Sequence, residues 1–241
     1  MNRKALRIIV LCVVAFNVPI LTTIGFSRDL TYLATRPAPS VFDVEIISEN
    51  LTADQGYIDD NRISLLWFIH VTDVHIKDGN DPEAKAYAEF LNYSYNQIHP
   101  FSVIVSGDMI RWGIYQEYWK IVEASPYGTD PVAYRYLEAV GNHDRRGDYG
   151  AIAFMNYTRT GRMLGAIQTF FTVNLSRESI AFALLDSTPY EATPTFFGGE
   201  SCLDATDFAE YDHFLNTQPS DRTIFTFMHH SPIETWNLLL S

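Results

Sequence analysis

LLWFIHVTDVHI, from Leu65 to Ile76, is an apolar run rich in β-branched and aromatic side chains and bounded by polar residues. That pattern predicts a strand buried on both faces, the kind found in parallel sheets. The run closes on Asp73-Val74-His75. A carboxylate and an imidazole two residues apart leave a strand end in the same direction and are able to grip one cation together. By itself Asp-x-His also fits a solvated loop carboxylate beside an ordinary histidine.

Three later apolar runs end in the same way. Ser102–Ser106 stops at Gly107-Asp108, Tyr136–Val140 at Gly141-Asn142-His143-Asp144, and Thr223–Met228 at His229-His230-Ser231-Pro232. Open α/β sheets collect ligands at the carboxyl ends of their strands, so the four donor clusters are expected to converge. Asp81-Pro82 marks a helix start, with Ala84, Ala88, Leu91, Tyr95 and Ile98 at helical spacing until His99-Pro100. A strand, helix, strand unit puts the first two clusters on neighbouring parallel strands.

The ordered blocks D-x-H, G-D, G-N-H-D and H resemble the calcineurin-like metallophosphoesterases from about Leu65 onward. Trp67 before the first block, Phe196-Phe197-Gly198 and the apolar N-terminus are similar to the transmembrane protein 62-like branch. The resemblance implies an α/β layered fold, β-sheets flanked by helices. It also implies two divalent or trivalent cations (Mn, Fe, Zn or Mg), a set the carboxylate, amide and imidazole donors suit in the absence of thiolate. Asp73 and His75 would hold the first and Asn142 and His229 the second, with Asp108 bridging through its two oxygens. His230 competes with His229, which ends the strand directly and is preferred. Cations about 3.5–4 Å apart share a hydroxide of lowered pKa and clamp a phosphoryl group. His143 would protonate the leaving group, Asp144 holding its imidazole in the donor tautomer. His70, inside the strand, reads as a core histidine. Arg111, Trp112 and Tyr115 are expected near the mouth, Arg111 as a phosphate contact or a surface residue. The family pattern adds a later Gly-His-x-His block; the chain stops at Ser241 without it, which reads as a fold incomplete at its C-terminus.

A formal charge of −12 and a pI near 4.9 argue against nucleic acid as a partner. A phosphoester substrate is compatible, because bound cations reverse the local field. Cys12 and Cys202 give no disulfide framework. Arg3, Lys4 and Arg7 precede an apolar run from Ile8 to Phe26, which reads as an uncleaved signal anchor with a cleaved signal peptide as its rival. Both place the remainder in the lumen or outside the cell. Sequons at Asn50, Asn92, Asn156 and Asn174 agree with that placement. The expected organisation is a membrane segment over 1–27, a stalk over 28–62 and the metallophosphoesterase domain over 63–241.

Within the stalk, Val41–Ile47 reads as an edge strand. Gln116–Ala124 is expected as a helix, 126–131 as a loop and Asp148–Arg159 as a helix. Gln168–Leu175 and Ser179–Asp186 form a hairpin pattern, with Asp186 as a structural turn carboxylate. Leu203–Leu215 is expected to turn Phe208, Tyr211 and Leu215 toward a sheet, with His213 on the surface.

Overall fold

The computed structural model describes residues 37–46, 51–52, 55–59, 63–111, 115–145, 151–188, 203 and 205–230. Within them β5 (Ile69–Val71), β6 (Val103–Ser106) and β7 (Tyr136–Ala139) make a parallel sheet in that order. β1 (Ser40–Glu45), β8 (Thr169–Asn174), β9 (Ser179–Leu184) and β10 (Thr223–Phe227) make a mixed sheet, in which β8 and β9 are the expected antiparallel hairpin and β1 the expected edge strand. β2 (Leu51–Thr52), β3 (Tyr57–Asp59) and β4 (Ser64–Leu66) form a small antiparallel sheet. Residues 40–45 and 57–59, read as stalk, are thus paired into sheets.

Leu65 to Ile76 is not one strand. It divides into β4 and β5, which belong to different sheets. At the break the Trp67 N–H donates to the Gly56 carbonyl and the Trp67 carbonyl accepts from Phe101 N–H. Gly56 is at φ +80, and a Cβ there would lie 1.6 Å from Phe101 N, so the close approach requires glycine. Phe68 leaves the ladder to pack edge-on against Phe182, Phe225 and Phe227. Nor is β5 buried on both faces: it lies at the edge of its sheet, and His70 is exposed rather than in the core. The His70 ring reaches Ser106 Oγ at 2.7 Å and the edge of Phe227.

Alternation along the strands builds the layers. Val103 and Val105 of β6 face a cluster with Tyr87, Leu91, Tyr118 and Val122 from helices. Ile104 faces the other way, toward Phe171, Val173, Phe182 and Leu184 of the mixed sheet. Phe170, Ala181 and Ala183 point to the outer side of that sheet and meet Phe214. The order is helices, parallel sheet, mixed sheet, helix.

The helices bordering the parallel sheet are α1 (Pro82–Tyr93), α2 (Tyr115–Ala124), α3 (Pro126–Thr129), α4 (Asn142–Arg145), α5 (Ile152–Tyr157) and α6 (Arg159–Leu164). Asp81 caps α1 by accepting from Ala84 N–H, and a π turn over Ser94–Ile98 carries it to His99 in the left-handed region. α3 stands where a loop was expected, begun by Pro126 at a position that lacks no needed N–H. The helix expected to run to Arg159 breaks at Thr158, whose Oγ1 accepts from Gly161 N–H and starts α6. On the outer side lies α7 (Ala205–Thr217). Its buried positions are Asp207 and Phe214, with Phe208 59% exposed. Tyr211 packs inward as expected, whereas Phe208 turns outward and Phe214 takes the inward place expected of Leu215, stacking on Phe170. His213 is exposed, as expected.

Among the described residues no helix is long and apolar enough to cross a membrane. The Ile8–Phe26 run, Cys12, Asn50, Trp112, Phe196–Gly198, Cys202 and the segment after His230 lie outside them.

Candidate metal centre

Beyond their last paired residues, β5 and β6 stay joined through their loops. Asp73 N–H donates to Gly107 O, His75 N–H to Asp108 O, Ile76 N–H to Met109 O and Arg111 N–H to Ile76 O. The first two donor blocks are therefore one hydrogen-bonded unit. Asp73, His75 and Asp108 all have positive φ, at 59°, 53° and 51°. Left-handed backbone at three non-glycine residues costs about 1–3 kcal/mol each, and here all three are donors of one cluster.

Gly107, at φ +93, and Gly141 let the ends of β6, β7 and β10 meet. A Cβ on Gly107 would lie 2.7 Å from Gly141 Cα and 2.8 Å from His229 Cβ; one on Gly141 would lie 2.1 Å from Asp108 N. The turn of α4 then brings His143 N–H to Asp108 Oδ1 at 2.9 Å. With Oδ1 so engaged, Oδ2 is the hub: His229 Nε2 lies 3.3 Å from it, His75 Nε2 3.6 Å and His143 Nε2 3.9 Å.

Two sets of three residues bring potential ligand atoms within 4.8 Å of one another: His75, Asp108 and His143, and Asp73, Asp108 and His229. These groupings join His75 to His143 and Asp73 to His229, while the Asp73–His75 pair read from the sequence also lies close, His75 Nε2 being 3.4 Å from Asp73 Oδ1. Asn142 belongs to the same cluster, its Oδ1 3.0 Å from His229 Nε2. His230 does not; its backbone N–H donates to Ser187 Oγ and its Nδ1 faces the Ser187 carbonyl. Burial and the neighbouring His229 push its pKa down to about 4.

The tautomers make the cluster fit a cation. His229 Nδ1 is 3.1 Å from the Ser106 carbonyl, which can only accept, so Nδ1 carries the hydrogen. In the neutral ring Nε2 then offers a lone pair toward Asn142 Oδ1 and Asp108 Oδ2, which are also lone-pair atoms. A proton or a cation must reconcile them. Burial opposes charge on His229, yet Asp108, Asp73 and Asp144 push its pKa up to about 9. His143 repeats the arrangement with Nδ1 2.9 Å from the Arg111 carbonyl. His75 Nδ1 is buried with no hydrogen-bond partner among the described residues. The hydrogen bond from His75 lowers Asp73 to about 2, which keeps it a ready ligand. Burial works against the Asp108 carboxylate, but His229 and the His143 N–H hold its pKa below the ordinary value.

Asp144 is placed differently from expectation. It is buried and accepts from Ile110 N–H at 3.2 Å and Gly141 N–H at 2.8 Å, while the Arg111 carbonyl orients the His143 ring. Burial and Asp108 raise its pKa well above the usual value. Its role is to shape the turn. Asp186, expected as structural, is buried against Arg145 and accepts from Thr188 N–H and Oγ1. The backbone carbonyls of Ser106 and Arg111 that set the imidazole tautomers carry no sequence signal; the Arg145–Asp186 pair left a faint one, a charge directly after Asn-His-Asp and another closing an apolar strand.

His75, Asp108, His143 and His229, together with Asp73 and Asn142, thus form a candidate metal-binding group. In comparisons with known proteins, no family model and no curated protein matches this chain.

Proposed function

We propose that the chain is a metal-dependent phosphoesterase of the calcineurin-like metallophosphoesterase kind, anchored in a membrane with its catalytic domain lumenal or extracellular. The observation that carries this reading is the meeting of acceptor atoms from four strand ends around Asp108 Oδ2. Asp73, His75, Asp108, Asn142 and His229 would hold two divalent or trivalent cations. When bound, such a pair supplies Lewis-acid polarisation of a phosphoryl oxygen and acidifies an attacking water.

The chain's own residues do the rest. In its protonated state His143 keeps Nδ1–H on the Arg111 carbonyl and presents Nε2–H to the leaving oxygen. As water oxygen bonds to phosphorus, releasing one proton to solvent, the ester P–O bond breaks and the His143 proton passes to the alcohol. Its absence slows such a step about 10²–10⁴-fold. Asp144 keeps His143 in place by holding Gly141 and Ile110 N–H groups.

One observation favours a second reading, a metal-bearing but non-catalytic ectodomain. His143 Nε2 falls within the ligand group of His75 and Asp108, and a ring that ligates a cation cannot donate a proton from the same nitrogen. The test is hydrolysis of p-nitrophenyl phosphate and its bis ester by the detergent-purified full chain with Mn²⁺. Turnover that disappears in Asp108→Ala supports the phosphoesterase. Metal binding without turnover, weakened by His143→Gln, supports the binding module.

A further inference from the structure

Two asparagines outside the candidate centre stand in sequons. Asn92-Tyr93-Ser94 closes α1 and Asn156-Tyr157-Thr158 ends α5. Both asparagines are exposed. Asn92 Nδ2 donates to Ala88 O of its own helix, and the Asn156 side chain bonds no described residue. The sequon at Asn174 differs. Asn174 is half-buried at the end of β8, its Nδ2 donates to Glu45 Oε1 of β1 at 2.6 Å, and Ser176 is held by Asp59.

We propose that Asn92 and Asn156 carry N-linked oligosaccharides in the folded protein and that Asn174 carries none. The inference rests on the lumenal placement proposed above. In the transfer, the carboxamide nitrogen attacks the anomeric carbon of an oligosaccharide carried on a polyprenyl diphosphate. The C–N bond forms, the C–O bond to diphosphate breaks, the nitrogen gives up one proton and the lipid diphosphate leaves.

The fold dictates when this happens and which sites survive it. Ser94 Oγ donates to Leu91 O and pairs with Tyr127 OH, and Thr158 Oγ1 donates to Phe154 O while accepting from Gly161 N–H. Both sequon hydroxyls are buried, so transfer precedes folding. Sugars on Asn92 and Asn156, both exposed, then project into solvent from the helical layer. A sugar on Asn174 would displace the Nδ2 hydrogen bond to Glu45 Oε1 and crowd the face of the sheet where β8 ends beside β1, whose register runs to the Asn174–Glu45 pair. Chains bearing it do not close the mixed sheet and leave the folded population. α1 ends before the amino end of β6, whereas Asp108 follows its carboxyl end. Asn92 is therefore at the opposite pole from the candidate centre and leaves it open.

The experiment expresses the full chain in eukaryotic cells with a C-terminal acceptor sequon as a lumenal reporter. The protease-resistant fraction is deglycosylated enzymatically in heavy-oxygen water, and peptides are mapped by mass spectrometry. Asn92 and Asn156 are expected to carry the label and Asn174 not, and Asn92→Gln and Asn156→Gln each to remove one glycan step on a gel. Label on Asn174 in the folded fraction, or its absence from Asn92 or Asn156 beside a glycosylated reporter, overturns the inference alone. An unglycosylated reporter overturns the lumenal placement, and the inference with it.

Discussion

Arg145 Nη2 donates to Asp186 Oδ2 at 2.7 Å, and each side chain is 1% exposed. Arg145 closes the turn that carries Asn142 and His143. Asp186 directly precedes Ser187, whose Oγ accepts the His230 N–H. The pair ties the third donor block to the strand end that holds His229. Asp186→Ala leaves a buried guanidinium without this carboxylate and is expected to cost about 3–5 kcal/mol in denaturant unfolding. The double variant Arg145→Met/Asp186→Leu is expected to recover most of that stability while Mn²⁺ affinity, titrated on the folded protein, stays low. Full recovery of affinity would mean that the pair supports the fold and does not position the donors.

Asp108 faces three imidazoles, those of His75, His143 and His229. A cation that binds the folded chain raises its thermal midpoint in proportion to the logarithm of its concentration over Kd. Asp108→Asn keeps the volume and removes the charge. Its Mn²⁺ affinity is expected to fall by more than the roughly 10–100-fold that loss of an outer-sphere partner costs. Thermal unfolding across a Mn²⁺ series checks this, and an unchanged shift removes Asp108 from the ligand set.

Gly141 is needed for space, not for its φ. A methyl there would lie 2.1 Å from Asp108 N and 2.4 Å from Asp108 Oδ1, so the β6 and β7 ends must part. Gly141→Ala is expected to abolish Mn²⁺ binding and to cost more than the about 1–3 kcal/mol of ordinary overpacking. Gly165→Ala is the contrast: it meets nothing within 4 Å but sits at φ +63. It is expected to lower stability through backbone strain alone and to leave the metal titration unchanged.

The strand ends were legible because each apolar run stops abruptly at donor residues, and β6, β7 and β10 lie within one residue of where those runs place them at either end. Parallel pairing of β5 with β6 followed from the helix between them. Leu65–Ile76 misled because an apolar run records burial, not its direction. Leu66 and Phe68 are half-buried between layers and Ile69 and Val71 half-buried at a sheet edge, and the hydropathy of all four looks alike. The inward face of α7 was read correctly at Tyr211 but missed at Phe208 and Phe214 for the same reason. At the centre, the side-chain donors were visible as residue types. What orients them was not, because the Ser106 and Arg111 carbonyls are backbone atoms and the left-handed φ of Asp73, His75 and Asp108 is marked by no glycine in the sequence.

Asp59 is expected to contribute to the acid limb of the stability curve. It is buried in β3 and accepts from Ser64 Oγ at 2.7 Å, Ser176 N–H at 2.7 Å and Ser176 Oγ, tying the small sheet to the β8–β9 turn. Burial alone would raise its pKa, but the donated hydrogen bonds prevail and hold it below the ordinary value. The unfolded chain therefore takes up this proton at a higher pH than the folded one. The resulting stabilisation is complete above the ordinary carboxylate pKa of about 3.9 and is lost as pH falls through the lower folded value. Asp59→Asn is expected to be less stable at neutral pH by about 1–3 kcal/mol, through the donors it no longer satisfies, and to lose less on acidification. Urea midpoints at pH 7 and pH 3 for both proteins give the comparison; equal losses on acidification would show that some other carboxylate carries the acid limb.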